Sequence, residues 1–323
     1  MRNSEMRNTT STSGLYLYHS FPRRFTSKPA EIRKAHDVLG CIIKFGLLLT
    51  PEIVTWTDAM HHSRELPDFS YIQLRTCFTQ LKRPELAKHA QVFGRYSIEW
   101  PVESARIFGC IPVFYMPTSN ETGTKTMANN AASLMHRLGE LRHVLDQLAE
   151  IAEMNEEDPD AELTKHGERI GCNIRGAQSL IRSVFARCLS PGELALHLHA
   201  LMGHFYPCDD EFRRGPMAYY QQREWRLVGM FRSRAHKKTR VMSVPRELKK
   251  KLLKLDKEFF GRTLTCGPYT FRTVDGSGVF KMAFGKHVLS YASRIICPDD
   301  QIAVVKRTLD RAKISVPVES LER

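Results

Sequence analysis

The sequence has no uncharged apolar run approaching the roughly 18 residues that a transmembrane helix needs. Its best candidate, Leu39 to Leu49, is interrupted by Lys44. The first residues, Met1 to Ser13, are polar, and the apolar core of a secretory signal does not follow them. These absences predict a cytoplasmic protein with no membrane partner and with a flexible tail over residues 1–14.

The cysteines lack the pattern of a disulfide framework or of a zinc site. Eight cysteines are scattered along the chain without a Cys-x-x-Cys pair, and most have apolar neighbours, which is typical of reduced, buried thiols. His197, His199, His204 and Cys208 lie close in sequence, but on a helix the first two would point roughly 200° apart. We therefore expect no metal site among them.

Common nucleotide-binding and hydrolase signatures are also missing. The patterns Gly-x-x-x-x-Gly-Lys-Ser/Thr, Gly-x-Gly-x-x-Gly and Gly-x-Ser-x-Gly do not occur. Their absence excludes many P-loop enzymes, dinucleotide-binding enzymes and serine hydrolases.

What the chain has in excess is positive charge, with a formal net charge of +13 and a pI near 9.4. Sixteen lysines and arginines stand against four acids between Arg213 and Arg262, so this segment carries nearly the whole net charge. It favours a polyanionic partner, either nucleic acid or an acidic protein; the alternative is a solvated basic face without a ligand. Lys249, Lys250 and Lys251 are candidate binding residues on a helix predicted over residues 245–260.

The most informative run is Arg223-Glu224-Trp225-Arg226, which sets one carboxylate between two guanidinium groups. In an extended strand the side chains alternate, so Arg223 and Trp225 would share one face while Glu224 and Arg226 share the other. Together with Tyr220, the two arginines and the tryptophan are candidate binding residues. A structural ion pair beside a half-buried tryptophan is the competing interpretation.

The order of strand-like and helix-like segments predicts an α+β fold, with a mixed, largely antiparallel sheet, flanking helices and a helical insertion. Residues 15–323 would form a single domain, with the insertion over about residues 126–206. Leucines recur in steps of three and four from Leu134 to Leu148, which predicts one buried leucine face. Near the C-terminus, the turn sequence Val274 to Gly278 predicts a hairpin.

Collinear segments over most of the chain carry a family resemblance, and the Arg-Glu-Trp-Arg run is the most specific of them. The segments are Tyr18-His19, Ile43 to Leu49, Cys77 to Leu81, Phe93 to Ile98, Ile111 to Tyr115, Tyr219 to Arg226 and Ile295 to Asp299. In this order they resemble the AbiGi family of abortive phage-infection antitoxins. Family members usually have acids where this chain has Gln80 and Gln222, so a reaction that needs those acids would be lost here.

The resemblance implies a bacterial cytosolic protein in an anti-phage defence pair, opposing or regulating a toxin that is similar to a nucleotidyltransferase. Under this leading interpretation the chain is the antitoxin or regulatory half and acts by binding, without a cofactor. Its partners would be the cognate toxin and, through residues 213–262, nucleic acid such as its own operator.

The alternative interpretation is an enzyme that uses NAD, with a site like that of ADP-ribosyltransferases. His19 and Thr79 would position the cofactor, and Glu224 would stabilise developing positive charge. The order of a histidine strand, a hydroxyl strand and a glutamate strand motivates this hypothesis. A third interpretation is a protein-interaction module that works through the leucine face of Leu134 to Leu148.

Overall fold

The computed structural model describes residues 16–22, 27–56, 69–107, 109–117, 127–153, 162–165, 168–185, 190–208, 223–229, 241–267, 269–283 and 285–322. The chain divides into two compact units. The sheet unit comprises Met1–Val54, Ser70–Val113 and Pro216–Arg323, and the second unit comprises Thr55–Phe69 and Phe114–Gly215. In the described part of the chain, no helix is long and apolar enough to cross a membrane. The predicted tail over residues 1–14 lies outside the described residues.

The described strands are β1 (Tyr16–Phe21), β2 (Leu47–Trp56), β3 (Phe69–Leu81), β4 (Tyr96–Pro101), β5 (Cys110–Pro112), β6 (Phe114–Pro117), β7 (Glu162–Lys165), β8 (Glu168–Asn173), β9 (Phe205–Cys208), β10 (Glu224–Gly229), β11 (Val241–Ser243), β12 (Thr263–Cys266), β13 (Tyr269–Arg272), β14 (Gly278–Phe280), β15 (Met282–Ala283), β16 (Lys286–His287), β17 (Arg294–Cys297) and β18 (Val318–Ser320). The described α-helices are α1 (Lys28–Phe45), α2 (Leu86–Phe93), α3 (Val102–Ile107), α4 (Met127–Glu153), α5 (Ile174–Phe185), α6 (Pro191–Met202), α7 (Arg246–Leu255), α8 (Lys257–Gly261), α9 (Thr273–Gly276) and α10 (Ile302–Arg311). Short 3-10 helices occupy Arg83–Glu85, Val288–Tyr291 and Asp299–Gln301.

Ten of the described strands form one sheet, in the order β11-β14-β2-β3-β1-β4-β17-β18, with β10 pairing β3 and β5 off this path. The pairs β1–β3, β1–β4, β10–β3 and β4–β17 are antiparallel, and β17–β18 is parallel. The predicted α+β fold, with its mixed, largely antiparallel sheet and flanking helices, is therefore confirmed.

One face of this sheet carries the main apolar core. α1 begins at Ser27, whose hydroxyl accepts a hydrogen bond from the Ala30 amide, and its residues Ala35, Leu39 and Ile42 are buried at helical spacing. They belong to one cluster with buried residues of the sheet and of α10, among them Leu17, Phe78, Trp100, Val305 and Leu309. Burying a leucine such as Leu39 contributes roughly 1.5–3 kcal/mol, so the apolar stripe of α1 holds this helix on the sheet.

A second apolar cluster anchors α7 and α8. Leu248 and Leu252 of α7 and Phe260 of α8 are buried against Phe45 and Val279. The leucines lie one turn apart, so α7 has a buried side and an exposed side, and its lysines lie away from the leucines. This anchoring fixes which residues of the basic segment face solvent.

Two local predictions for the C-terminal part of the chain were wrong. The helix predicted over residues 245–260 is broken at Asp256, which caps α8 by accepting a hydrogen bond from the Phe259 amide at 2.9 Å. The hairpin predicted around Val274 to Gly278 does not form, because β13 pairs with β12 while β14 pairs with β2 and β11. Both errors follow from long-range pairing and side-chain capping, which override local turn signals.

The second unit contains α4, α5 and α6, as the predicted insertion implies, but also the strand pairs β6–β9 and β7–β8. The predicted leucine face of α4 is only partly buried. Leu145 is buried, whereas Leu134 and Leu141 are 57% and 46% exposed. Met135 and His136 are buried instead, so the buried side of α4 is not the side on which the leucines recur.

Candidate functional site

A row of polar residues crosses one face of the ten-stranded sheet. Glu224 on β10 lies opposite Thr79 on β3, and Thr79 lies opposite Tyr18 on β1. Tyr18 in turn lies opposite Glu99 on β4, and Glu99 lies opposite Arg294 on β17. Directly opposed residues of antiparallel strands project to the same side, so this polar row and the apolar core occupy opposite faces of the sheet.

At one end of the row, Glu224 is held in a network of arginines. Arg226 Nε donates to Glu224 Oε1 at 2.6 Å, and Arg226 Nη1 donates to Gln73 Oε1 at 3.3 Å. Gln73 Oε1 also accepts from Arg75, which forms an ion pair with Glu52. Arg226 is only 1% exposed, so its guanidinium is committed to this network and is not presented to a ligand in solvent.

At the other end, Glu99 is buried between Tyr18 and Arg294. The Tyr18 hydroxyl donates to Glu99 Oε2 at 2.7 Å. Arg294 Nε lies 2.7 Å from Glu99 Oε1, but the two atoms are not aligned as a hydrogen bond. Burial raises the pKa of Glu99 above its usual value, although Tyr18 and Arg294 act against this shift. Arg294 Nη1 also donates to both oxygens of Glu319, at 2.7 and 2.8 Å.

The geometry of the row does not suit cleavage of a glycosidic bond by a pair of carboxylates, and Cys77 beside it does not suit nucleophilic attack. Glu224 and Glu99 are three strands apart, which separates their backbones by about 14 Å at the usual strand spacing. Two carboxylates that act on one glycosidic bond need to be within roughly 5–9.5 Å. Burial, and then the charge of Glu224, raise the pKa of Cys77 to about 12, so this residue stays a thiol and is not a nucleophile.

The residues of the predicted NAD site do not all lie on one face. Thr79 and Glu224 are cross-strand neighbours on the polar face. His19 follows Tyr18 on β1 and projects from the other side, where its ring lies 5.7 Å from that of Phe78. Its Nδ1 is 3.0 Å from the Cys77 carbonyl oxygen. The structure brings the threonine and glutamate together and places the histidine across the sheet from them.

Within the Arg-Glu-Trp-Arg run, Glu224, Trp225 and Arg226 alternate on β10, whereas Arg223 has a φ of 44° and is not extended, and the two arginines have different partners. Arg223 precedes β10, and its Nη2 donates to Glu85 Oε1 at 2.7 Å. The Trp225 indole donates to Gln80 Oε1 at 3.0 Å, and the Trp225 side chain is half-buried. Tyr220 lies outside the described residues. Glu224 therefore contacts Arg226 and not Arg223, and the run forms structural contacts in this sheet.

The three lysines predicted as binding residues differ in their surroundings. Lys249 Nζ lies 2.9 Å from Asp275 Oδ1, and Lys251 Nζ lies 3.6 Å from Glu247 Oε1. Lys250 is exposed and has no carboxylate partner among the residues that the structure describes. Ion pairing already offsets the charge of its two neighbours, so Lys250 is the freest of the three to contact an anion.

Lys250 belongs to a larger exposed set that we call the α7–α8 surface. Its cations are exposed and have no ion-pair partner within the described ranges: Arg246, Lys250, Lys254, Lys257 and Arg262. Glu258 is an exposed acid within the same stretch and reduces the local positive charge. The sequence analysis counts Arg262 in the basic segment but names neither it nor Phe259 as a binding residue; Phe259 is 39% exposed. The sequence signal for an exposed aromatic residue is the Phe259-Phe260 pair, because adjacent positions of an amphipathic helix cannot both face the core.

The histidines near the end of α6 do not form a metal site in the described structure. Across the described residues, no group of three or more histidine, cysteine, aspartate or glutamate side chains could hold a metal ion. His197 is exposed, and burial lowers the pKa of His199 to about 4, so that imidazole is neutral.

Comparisons with protein-family models, with curated proteins and with solved structures find no match to this chain.

Proposed function

We propose that the protein is the regulatory, antitoxin half of a bacterial anti-phage defence pair, works in the cytoplasm and acts by binding nucleic acid. The observation that carries the choice of ligand is the α7–α8 surface, where Lys250, Lys254, Lys257 and Arg262 are exposed without carboxylate partners among the described residues. Neutralising phosphates with such cations releases counterions and favours binding. The defence role is supported by the AbiGi resemblance.

Binding is favoured over catalysis because the carboxylates of the polar row are engaged by neighbours and the thiol beside them is unreactive. Glu224 is engaged by Arg226 and Glu99 by Tyr18, while the thiol pKa of Cys77 is raised to about 12. His19, the third member of the NAD hypothesis, projects from the opposite side of the sheet from Glu224. A reacting centre needs its groups within contact distance of one substrate atom, and this arrangement does not supply one.

The test is the salt dependence of binding to fluorescently labelled nucleic acid, measured by anisotropy. Lys250, Lys254 and Lys257 are changed together to Ala, and the matched control changes Lys249, Lys251 and Arg272, whose charges are paired with Asp275 or Glu247. Each lost phosphate contact lowers the slope of log K against log salt by about 0.7–0.9. We expect the first triple variant to lose about two to three units of slope, and the control to lose less.

Two results would contradict the proposed binding surface. Wild-type protein that does not bind nucleic acid, or binds it without salt dependence, would mean that the basic face is only solvated. An equal loss in the two triple variants would mean that total charge, and not this set of unpaired side chains, determines binding.

A protein partner is a second candidate, because apolar side chains of α4 are exposed. Leu134, Leu141 and Val144 recur at helical spacing and are 57%, 46% and 48% exposed. We propose this stripe as a contact for the cognate toxin. Changing Leu134 and Leu141 to Asp would then abolish toxin neutralisation while nucleic-acid binding is retained; unchanged neutralisation would remove this candidate.

A further inference from the structure

A cleft of about 470 Å³ borders the α7–α8 surface in the sheet unit. Residues of β2, Thr50 to Ile53, line one side, and Phe259, Arg262 and Leu264 line the other. Leu264 is buried, whereas Phe259 and Arg262 are exposed, so the cleft has an apolar floor and opens to solvent beside a cation. Its volume lies within the range of small-molecule pockets, roughly 300–1,000 Å³.

Phe259 is held as a rigid platform although its ring faces solvent. Its amide donates to Asp256 Oδ1 at 2.9 Å in the N-terminal cap of α8. Its ring forms a T-shaped contact with that of Phe260, with the centroids 5.0 Å apart and the planes at 87°. Phe260 is buried in the cluster that anchors α7 and α8, so Phe259 is held both by its backbone hydrogen bond and by a ring contact with a buried neighbour.

Arg262 lies over this platform. Its guanidinium carbon is 5.7 Å from the centroid of the Phe259 ring, which is within the range of a cation–π contact. Arg262 has no carboxylate partner in the described part of the chain. An exposed aromatic ring beside an unpaired guanidinium offers stacking to a flat group and charge to a phosphate, which together are typical of single-strand binding.

The acid in the cleft does not prevent an anionic ligand from entering. Glu52 forms an ion pair with Arg75, which offsets its negative charge. A paired carboxylate still has lone pairs that can accept a hydrogen bond from an exocyclic amine of a base. Thr50, on the same strand, adds a hydroxyl that can donate or accept.

We propose that this cleft takes an unstacked nucleobase of a single-stranded nucleic acid, with the base stacked against the Phe259–Arg262 pair and the flanking phosphates on Lys254 and Lys257. The proposal rests on the proposed nucleic-acid binding and narrows it, because bases inside a duplex are stacked on each other and cannot enter such a cleft. Phe259 would then determine the preference for single strands over duplex, and the lysines would contact the phosphates of either form.

The experiment compares single-stranded DNA, single-stranded RNA and duplex DNA of equal length, with wild-type protein and Phe259→Ala. Stacking on an aromatic side chain contributes about 1–3 kcal/mol per base, so Phe259→Ala should weaken single-strand binding at least about five-fold and leave duplex binding unchanged. Phe259→Trp should keep the affinity, and its fluorescence should be quenched when a base stacks on it. A difference between the RNA and DNA arms identifies which single strand is preferred.

Arg262→Ala has a matched control in Arg272→Ala, because Arg272 is an exposed arginine on the adjacent hairpin whose charge is paired with Asp275. Arg262→Ala should weaken single-strand binding several-fold more than the control does. Equal effects of Phe259→Ala on single strands and duplex, or no effect on either, would overturn the cleft proposal while the proposed function stands. Wild-type protein that binds neither form would overturn both.

Discussion

The polar row of the sheet and the α7–α8 surface use the same charged residue types in opposite ways. In the polar row and its network, Glu99 and the Glu224 partner Arg226 are each 1% exposed, and each is held by a neighbour from another strand. On the α7–α8 surface, Lys250 and Lys254 are exposed and have no carboxylate partner among the described residues. Charges of the first kind are paired within the sheet, whereas charges of the second kind remain available to a partner.

The largest expected effect is the loss of stability when a buried ion pair of the sheet is removed. Arg226→Ala removes the guanidinium that pairs with Glu224 and one of the two donors to Gln73 Oε1 inside the sheet, so the free energy of unfolding should fall by about 3–5 kcal/mol. Arg223→Ala is the control, because its pair with Glu85 is exposed and should cost about 1 kcal/mol or less. Urea unfolding measures both, and equal losses would mean that the polar row is not the more tightly coupled network.

A pH dependence of stability distinguishes a buried carboxylate from an exposed one. Burial raises the folded-state pKa of Glu99 above its ordinary value of 4.5, so its native form holds a proton more readily than its unfolded form. Its contribution is fully present below pH 4.5 and is lost as pH rises through the raised pKa. The urea unfolding midpoint of wild type should therefore contain a fall as the pH rises through this pKa, and that fall should be absent in Glu99→Gln.

Glu85→Gln is the matched control with the opposite sign. The Lys82 amide and the Arg223 side chain lower the pKa of Glu85 below 4.5. Its contribution is therefore present above that value and lost as pH falls through the lowered pKa. The control should change unfolding midpoints only in acid; a Glu99→Gln variant that also changes them only there would contradict the assignment of a raised pKa.

The smallest expected effect compares two adjacent lysines of α7. Lys250→Ala removes an unpaired charge and should lower the salt slope of nucleic-acid binding by about 0.7–0.9. Lys249→Ala removes a charge that Asp275 already offsets at 2.9 Å, so its slope should change less. The reverse ranking would show that ion pairing in the free protein does not decide which lysines reach the ligand.

Strand periodicity predicted part of this site correctly. A period of two placed Glu224 and Arg226 on one side, and their contact at 2.6 Å confirms that alternation. The partner of Arg223 was not predictable, because Glu85 lies 138 positions away and only the tertiary fold brings them together. Strand order alone groups His19 with Glu224, but it does not say to which face each side chain projects.

The basic segment shows, for helices, the same limit of sequence-based prediction: the sequence does not show which residues the fold brings together. Charge counting located the segment between Arg213 and Arg262, but it could not separate Lys250 from Lys249, since pairing depends on where Asp275 lies. The leucine spacing predicts one continuous helix through Phe259, because it does not show that Asp256 caps a second helix. Once the helix breaks there, Phe260 turns inward and Phe259 is left beside Arg262.

The most direct test of the central claim is a growth-rescue assay in bacteria that express the cognate toxin, for which the product of the gene next to this one is the candidate. Three forms are compared: wild type, Glu224→Gln, and the variant with Lys250, Lys254 and Lys257 changed to Ala. The account predicts that wild type and Glu224→Gln restore growth and that the lysine variant does not. Wild-type protein that is itself toxic, with Glu224→Gln relieving the toxicity, would contradict the account and support an enzyme instead.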